Sequence, residues 1–314
     1  MAAAARRLRN TTQLLVGDFS PSHLHCVCCA ASFRMINPHM KVLVLLRDPV
    51  ARAVSRFVEF KRPHLHRWSA HGQLQNHTFV SYVEAELALL RGCLATARRF
   101  QPAAPRSGPA GASSSPRGWG AGWDMGQWME AQCYAHNNIL GWSVYAPFLE
   151  NYAAQFGWRQ MKVLYTPDML AAPNVTLRAV EDFLGAPRVR LHPNDKLDGL
   201  FNTRECYHST CMRKRPEVQP LTAAIGDVAG GITESDVVSA DDVGALNLTA
   251  AAAAGGAGAS SSASAFGRAV AALRQFYAPH VQQLFTWADQ GVIPQPPPAW
   301  RAVYGLPPQQ QPAG

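Results

Sequence analysis

The sequence predicts an α/β protein, in which the strands of a parallel sheet alternate with helices, and three observations predict this class. Residues 42–46 form an unbroken apolar run, which is typical of a short strand buried on both faces. Apolar residues then recur at helical spacing over 50–58. An earlier run at 13–17 indicates a second strand that ends in a polar turn. At 314 residues, the chain is long enough for one such domain with insertions.

The turn and the helix that follow the strand predicted at 42–46 carry the candidate site residues. Asp48 can cap the following helix with its carboxylate, and Pro49 suits the first helical position. Arg47 stands at the carboxyl end of the strand, where open α/β sheets bind ligands, and its guanidinium can hold a phosphate bidentately. Ser55, in the second turn of the helix, can donate its hydroxyl to the same anion. The residues leave an alternative open, in which Arg47 only pairs with a carboxylate.

Five further stretches have the apolar spacing of helices. They cover residues 80–100, 125–135, 138–152, 174–184 and 266–289, the last as a pair of helices. Gly185 follows the fourth stretch directly, and glycine is the residue preferred just beyond a helix end.

Composition sets the predicted domain limits. The domain spans 13–293, preceded by a disordered or truncated amino terminus at 1–12. Two insertions rich in Ala, Gly, Ser or Pro interrupt it at 101–122 and 222–264, because such segments bury too little apolar surface to order themselves. The Pro- and Gln-rich tail at 294–314 is predicted to be disordered.

Seven cysteines are present, and because the number is odd at least one has no partner within the chain. Cys26, Cys28 and Cys29 lack the spacing of a tetrahedral zinc site, so we expect no metal there and interpret them as buried or free thiols. Cys93 and Cys133 flank the first insertion, and in an oxidising compartment a disulfide between them would close its base.

The net charge of +8 and the isoelectric point near 9.3 favour polyanionic partners. The usual nucleic-acid-binding motifs are missing, so we expect no nucleic-acid partner. The first residues contain no apolar core of signal-peptide length, and no run approaches the roughly 20 apolar residues of a membrane span. We therefore expect neither a targeting signal nor a membrane anchor in this chain.

The motif R-D-P-V-x-R-A-x-S at residues 47–55 closely resembles the 3′-phosphate-binding motif of sulfotransferases that use PAPS (3′-phosphoadenosine 5′-phosphosulfate). It is most similar to that of the Golgi carbohydrate enzymes of the heparan sulfate sulfotransferase type. The resemblance implies a three-layer fold, a parallel sheet with flanking helices, related to the P-loop NTPases. In that family the arginine and serine of the motif hold the 3′-phosphate, which implies that Arg47 and Ser55 bind the cofactor.

Later segments are similar to the same family. Residues 141–165 resemble a family segment that leads into the next parallel strand, here Gln160–Tyr165. The stretch 273–284 resembles the closing helix of the family. Cys206 and Cys211 match a small disulfide loop, so the resemblance implies a bond between them.

The basic residues that follow this loop are Arg213, Lys214 and Arg215. In the family, a basic segment at this place closes over the PAPS nucleotide, so the resemblance implies that these three side chains contact PAPS. The alternative is that they form a solvated charge run.

The chain departs from the family near its amino terminus. Residues 18–21, D-F-S-P, resemble the family's E-K-T-P segment, but Phe19 stands where the family has a lysine that lines the sulfuryl-transfer site. The family's loop for the 5′-phosphosulfate has no match, because residues 9–12 lack the glycine that lets backbone amides approach a phosphate. The resemblance therefore implies a fold that lacks its first strand–helix unit, and it assigns no catalytic residue.

The implied reaction is transfer of a sulfuryl group from PAPS, without a metal, to a hydroxyl or amine of a glycosaminoglycan-like carbohydrate. The implied location is the Golgi lumen, and sequons at Asn76 and Asn174 suggest glycosylation there. The alternative is a catalytically inactive sulfotransferase-like module that binds a nucleotide or a sulfated glycan through its basic surface.

Overall fold

The computed structural model describes residues 15–60, 74, 76–101, 123–186 and 265–307, together with the backbone of residues 199–200 and 213–214. The strands are β1 (Val42–Leu46), β2 (Met161–Tyr165), β3 (Gly199–Leu200) and β4 (Arg213–Lys214). The α-helices are α1 (Cys29–Ile36), α2 (Pro49–Phe60), α3 (Phe79–Arg98), α4 (Met125–His136), α5 (Ala146–Phe156), α6 (Thr166–Ala171), α7 (Pro173–Leu184), α8 (Ala265–Asp289) and α9 (Ala299–Val303). Short 3₁₀ turns lie at His23–His25, Gly141–Ser143 and Trp158–Gln160.

Strands β1 and β2 pair in parallel, with Val44 opposite Val163 and Leu46 opposite Tyr165. Strands β3 and β4 form a separate antiparallel pair. In the part of the chain that the structure describes, each sheet has two strands. The strands predicted at 42–46 and 160–165 are thus confirmed. The α/β class holds as a small parallel sheet within a helix-rich domain.

The β1–β2 sheet buries one face of β1 and leaves the other open. Val44 and Leu46 are at most 6% exposed and belong to the main core, whereas Leu43 and Leu45 are 40% and 47% exposed. Because side chains alternate along a strand, these two pairs lie on opposite faces. The prediction of burial on both faces is therefore wrong for β1. An apolar strand permits burial on both faces, but other elements decide whether both are covered.

Helix α2 follows β1 through the turn that the sequence predicts. The Oδ1 atom of Asp48 accepts a hydrogen bond of 2.8 Å from the backbone N–H of Ala51, and Pro49 is the first helical residue. Val50, Val54 and Phe57 lie buried on one face of the helix. The predicted strand, turn and helix are all confirmed here, because each depends on a short stretch of chain.

Residues 15–20 have no regular secondary structure, so the strand predicted at 13–17 is wrong over its described part. Leu15 and Val16 are 55% and 87% exposed. A strand needs a hydrogen-bonded neighbour, and none of the described strands pairs with this segment.

Helices α3, α4 and α7 confirm three of the predicted helical stretches. Gly185 has a left-handed φ of 70° just beyond α7, which confirms its predicted position at the helix end. The disulfide predicted between Cys93 and Cys133 is present, with a Cα–Cα distance of 5.9 Å. It joins α3 to α4, which also pack against each other.

The helix predicted at 138–152 begins later than expected, at the first residue of α5. A 3₁₀ turn at Gly141–Ser143 precedes it instead. A Cβ atom on Gly141 would lie 2.1 Å from the carbonyl oxygen of Tyr134, so the close approach of two backbone segments requires glycine there. Helical spacing alone does not reveal such an approach.

Two predictions about the carboxyl-terminal part are wrong. The pair of helices expected over 266–289 is one continuous helix, α8, with Pro279 inside it. Residues on both sides of the proline, among them Tyr277 and Val281, are buried, so both halves of the helix pack into the core.

The tail expected to be disordered is ordered over 294–307 and contains α9. Trp300 is fully buried there, and a buried tryptophan can stabilise a short segment that has little helical length of its own. The predictions for 1–12, 102–122, 222–264 and 308–314 lie outside the described residues.

Candidate anion-binding site

Arg47 lies at the carboxyl end of β1, as predicted, in a half-buried position. Burial lowers the pKa of its guanidinium, while the nearby Tyr145 and Asp48 act in the opposite direction. Among the described residues the guanidinium has neither a hydrogen bond nor a carboxylate within ion-pair distance. The Arg47 carbonyl, by contrast, accepts a bond of 2.9 Å from the Tyr145 hydroxyl, which fixes the backbone. A desolvated cation on a fixed backbone is suited to binding an anion.

Arg52 lies in the first turns of α2, and its guanidinium is held by neutral groups. It donates to the oxygens of Asn138 (3.4 Å), Ile139 (3.2 Å) and Ser143 (3.3 Å). Its guanidinium carbon also lies 5.8 Å from the centre of the Trp142 ring, within the range of a cation–π contact. None of these partners carries a negative charge, so the charge of Arg52 adds to that of Arg47.

Burial lowers the pKa of Arg52, and the positive charges of Arg56 and Arg47 lower it further. Arg52 is therefore close enough to both of these arginines to be repelled by them electrostatically. Arg56 differs from the other two, because it pairs with Glu59 at 2.7 Å. The unneutralised positive charge is thus concentrated on Arg47 and Arg52.

Asp48 is the acidic group of this cluster, and burial raises the pKa of its carboxyl. The hydroxyl of Tyr304 donates to its Oδ2 atom at 2.9 Å, and this bond offsets part of the increase in pKa that burial causes. Arg274 and Arg47 also act on this carboxyl and lower its pKa. One carboxylate therefore faces several cations, and the cluster carries a net positive charge.

Ser55 lies half-buried on α2, three residues after Arg52, so the two side chains share one face of the helix. Its hydroxyl has no hydrogen bond to another described residue. The structure thus places Arg47 and Ser55 on one strand–turn–helix unit. Each has a polar group that is available to a ligand.

The other predicted cofactor residues are described in part or not at all. The backbone of Arg213 and Lys214 forms β4, opposite Leu200 and Gly199. The side chains of both residues, and the whole of Arg215, lie outside the described residues. The disulfide predicted between Cys206 and Cys211 also lies there.

The two predicted glycosylation sites are both exposed. Asn76 lies two residues before Thr78, whose side chain caps the start of α3. Asn174 lies in the first turn of α7. Exposure is necessary for glycosylation of a folded chain, and the modification stays a prediction at both positions.

Sequence reasoning missed Arg52, Tyr304 and one disulfide. Arg52 had a signal, because it is three residues before Ser55 on the same helix. Tyr304 had none, because its contact with Asp48 joins residues 256 positions apart in the chain. Cys26 and Cys29 form a disulfide with an S–S distance of 2.02 Å, so their interpretation as thiols is wrong. Their spacing of three residues at the start of a helix was the available signal.

A scan against models of protein families matches none of them, and a search of curated proteins finds no significant relative. Over the described ranges, no helix has the length and apolar character needed to cross a membrane. The function must therefore be inferred from the residues and their geometry.

Replacing Tyr304 by phenylalanine should lower the free energy of unfolding by about 1 to 2 kcal/mol at neutral pH, because buried Asp48 loses a hydrogen-bond donor. Burial raises the folded-state pKa of Asp48 above its unfolded value, so ionisation of Asp48 lowers the stability of the folded protein as pH rises. The bond from Tyr304 favours the ionised carboxylate and offsets part of this loss. The loss should therefore shrink at acidic pH, where a protonated Asp48 no longer needs the donor. Urea unfolding across the pH range measures this.

Tyr165→Phe is the matched control for Tyr304→Phe. The Tyr165 hydroxyl is bonded to the carbonyl of Pro294 at 3.0 Å and has no carboxylate as its acceptor. Its removal should lower the stability by an amount that does not depend on the charge of Asp48. Equal pH profiles of the two variants would contradict the contact between Tyr304 and Asp48.

Proposed function

We propose that the chain is a sulfotransferase that transfers the sulfuryl group of PAPS to a hydroxyl or amine of a glycosaminoglycan-like carbohydrate. In this proposal the described strands and helices are part of a three-layer, P-loop NTPase-like sulfotransferase fold, and Arg47 and Ser55 hold the 3′-phosphate. The observation that carries the proposal is the half-buried guanidinium of Arg47, which has neither a hydrogen bond nor a carboxylate within ion-pair distance among the described residues.

The charge balance of the cluster supports a phosphate as the ligand. Neither Arg47 nor Arg52 has a carboxylate within ion-pair distance in the described part of the chain. Asp48 interacts electrostatically with Arg47 but also with Arg274, so it does not balance the positive charge. A phosphate dianion would supply the missing negative charge, and the planar fork of Arg47 matches two of its oxygens. The Ser55 hydroxyl can donate to a third oxygen, because Ser55 follows Arg47 on the same unit.

PAPS supplies an activated sulfuryl group, whose bond to the 5′-phosphate breaks as a new bond forms to the acceptor oxygen or nitrogen. The electron pair of the broken bond leaves with PAP (3′-phosphoadenosine 5′-phosphate), and the acceptor loses a proton to a base or to water. Transfers of this kind depend mainly on positioning and on electrostatic stabilisation. Arg47 and Ser55 would position the nucleotide by its 3′ end.

Two further observations support a carbohydrate acceptor in the secretory pathway. The disulfides Cys26–Cys29 and Cys93–Cys133 are typical of an oxidising compartment, and together with the resemblance they support the Golgi lumen as the proposed location. The net charge of +8 suits a polyanionic glycan.

A second candidate function is that of a sulfotransferase-like module that binds the nucleotide or a sulfated glycan without catalysis. It is favoured by Phe19, which stands at the position of the lysine in the E-K-T-P segment of the family. Phe19 is 93% exposed and lies outside regular secondary structure. An exposed phenyl ring supplies no positive charge to a departing phosphate oxygen.

Calorimetric titration of the full chain with PAP, compared with adenosine 5′-monophosphate, tests the 3′-phosphate site. The monophosphate lacks the 3′-phosphate and should bind about 10- to 100-fold more weakly, the range for losing a charged hydrogen-bonded contact. Incubation with radiolabelled PAPS and desulfated heparan sulfate then separates the two candidates.

Transfer of label to the glycan supports the enzyme, and PAP binding without transfer supports the inactive nucleotide-binding module. Equal affinity for PAP and the monophosphate would contradict the role of Arg47 and Ser55. If neither nucleotide binds, the enzyme and the nucleotide-binding module are both excluded for this chain.

A further inference from the structure

A second chemically active cluster lies at the start of α1, formed by the side chains of Cys26, Cys28 and Cys29. Cys26 and Cys29 are joined in a disulfide, and Cys28 is a free thiol. The Sγ atom of Cys28 lies 3.3 Å from that of Cys26, and all three sulfurs lie within 4.8 Å of one another. The geometry points to a thiol–disulfide exchange site, in which Cys28 and Cys29 alternate as the partner of Cys26.

The backbone around these sulfurs is held in place by a hydrogen bond and by buried neighbours. Val27 is 3% exposed, and its carbonyl accepts a bond of 2.9 Å from the side-chain amide of Asn151. Ala30, the residue that follows Cys29 in the chain, is fully buried. The N–H of Cys29 donates to the carbonyl of Cys26 at 3.0 Å and closes the turn that brings the sulfurs together.

The step is balanced within the chain and needs no external oxidant. The thiolate of Cys28 donates its electron pair to Sγ of Cys26, and a new Cys26–Cys28 bond forms. The Cys26–Cys29 bond breaks at the same time, and its electron pair leaves on Sγ of Cys29. The proton lost by Cys28 goes to water, from which Cys29 can take one up.

The position of the leaving group favours this step. Cys29 is the first residue of α1, a helix of eight residues, where the helix dipole stabilises a thiolate. The three cysteines are half-buried rather than sealed in the core, so reagents can reach them. The inference does not depend on the proposed sulfotransferase function, because the anion site uses none of these sulfurs.

Pulsed alkylation of the full chain tests the exchange. The native protein is treated with N-ethylmaleimide, quenched with acid, unfolded, reduced and treated with iodoacetamide, and fragment-ion mass spectrometry then locates the maleimide. Exchange predicts maleimide on both Cys28 and Cys29, with Cys29 carrying at least about a tenth of it, since the two thiols compete for one disulfide partner. The Cys93–Cys133 disulfide, with Cys93 exposed, is the internal control and should stay unlabelled.

In the Cys28→Ser variant, the attacking thiol is removed while the Cys26–Cys29 disulfide is kept. Maleimide should then be lost from all of residues 26–29. Labelling of Cys28 alone in the wild type would overturn the proposal, and this result does not depend on the folding of any variant. Labelling of Cys29 in Cys28→Ser would overturn it as well, because the disulfide would then open without Cys28.

Discussion

Arg47→Ala should weaken PAP binding by at least about 2 kcal/mol, or roughly 30-fold, while leaving the free energy of unfolding within about 1 kcal/mol of the wild type. The two halves of this expectation have the same cause. The guanidinium is partly desolvated and has no hydrogen-bond or ion-pair partner among the described residues, so its loss removes an unfavourable burial and no internal bond. Calorimetry with PAP and urea unfolding measure the two quantities.

Arg178→Ala is the matched control for Arg47→Ala. Arg178 lies on α7 and pairs with Glu181, which is 7% exposed, so its removal leaves a buried carboxylate without that partner. We expect this variant to lose about 1 to 3 kcal/mol of stability and to bind PAP normally. If Arg47→Ala instead behaved like Arg178→Ala, Arg47 would be a structural ion-pair residue, which is the alternative that the sequence leaves open.

The unit that carries this site could be predicted because it is local. A strand, a capping aspartate, a first-turn proline and a helical apolar stripe follow one another over residues 42–60, and each depends on near neighbours in the chain. Arg47 and Ser55 needed only this unit to be placed. The parallel pairing of β1 with β2 came from the resemblance, because the two strands are separated by more than one hundred residues.

What could not be predicted depends on contacts between distant parts of the chain. Tyr304 reaches Asp48 from a tail whose composition indicates disorder, and Trp300 anchors that tail by burial alone. The exposure of Leu43 and Leu45 could not be predicted for the same reason, because the sequence of an apolar strand does not indicate which elements cover it. Arg52 is an intermediate case, since its helical position is local but its neutral partners lie in the turn at 138–143.

Loss of the Cys93–Cys133 disulfide should have the largest effect on stability of the changes considered. The bond closes a loop with a sequence separation of 40, and the chain-entropy relation gives about 4 kcal/mol for a loop of that size. We expect the Cys93→Ser, Cys133→Ala double variant to lose about that much free energy of unfolding in non-reducing urea titrations. Alanine is chosen at Cys133 because that side chain is 5% exposed and a hydroxyl would be buried there.

Loop length supplies the control for this prediction. The Cys26–Cys29 disulfide has a sequence separation of 3, for which the same relation gives about 2 kcal/mol. Its removal, measured in a Cys28→Ser background to prevent exchange, should therefore cost about half as much. Equal losses would mean that the entropy of the closed loop does not set the stabilisation. A loss below about 1 kcal/mol on removal of Cys93–Cys133 would mean that α3 and α4, which pack together in the folded protein, stay associated in the unfolded chain. Such residual structure restricts the unfolded chain without the disulfide and so reduces the effect of the disulfide.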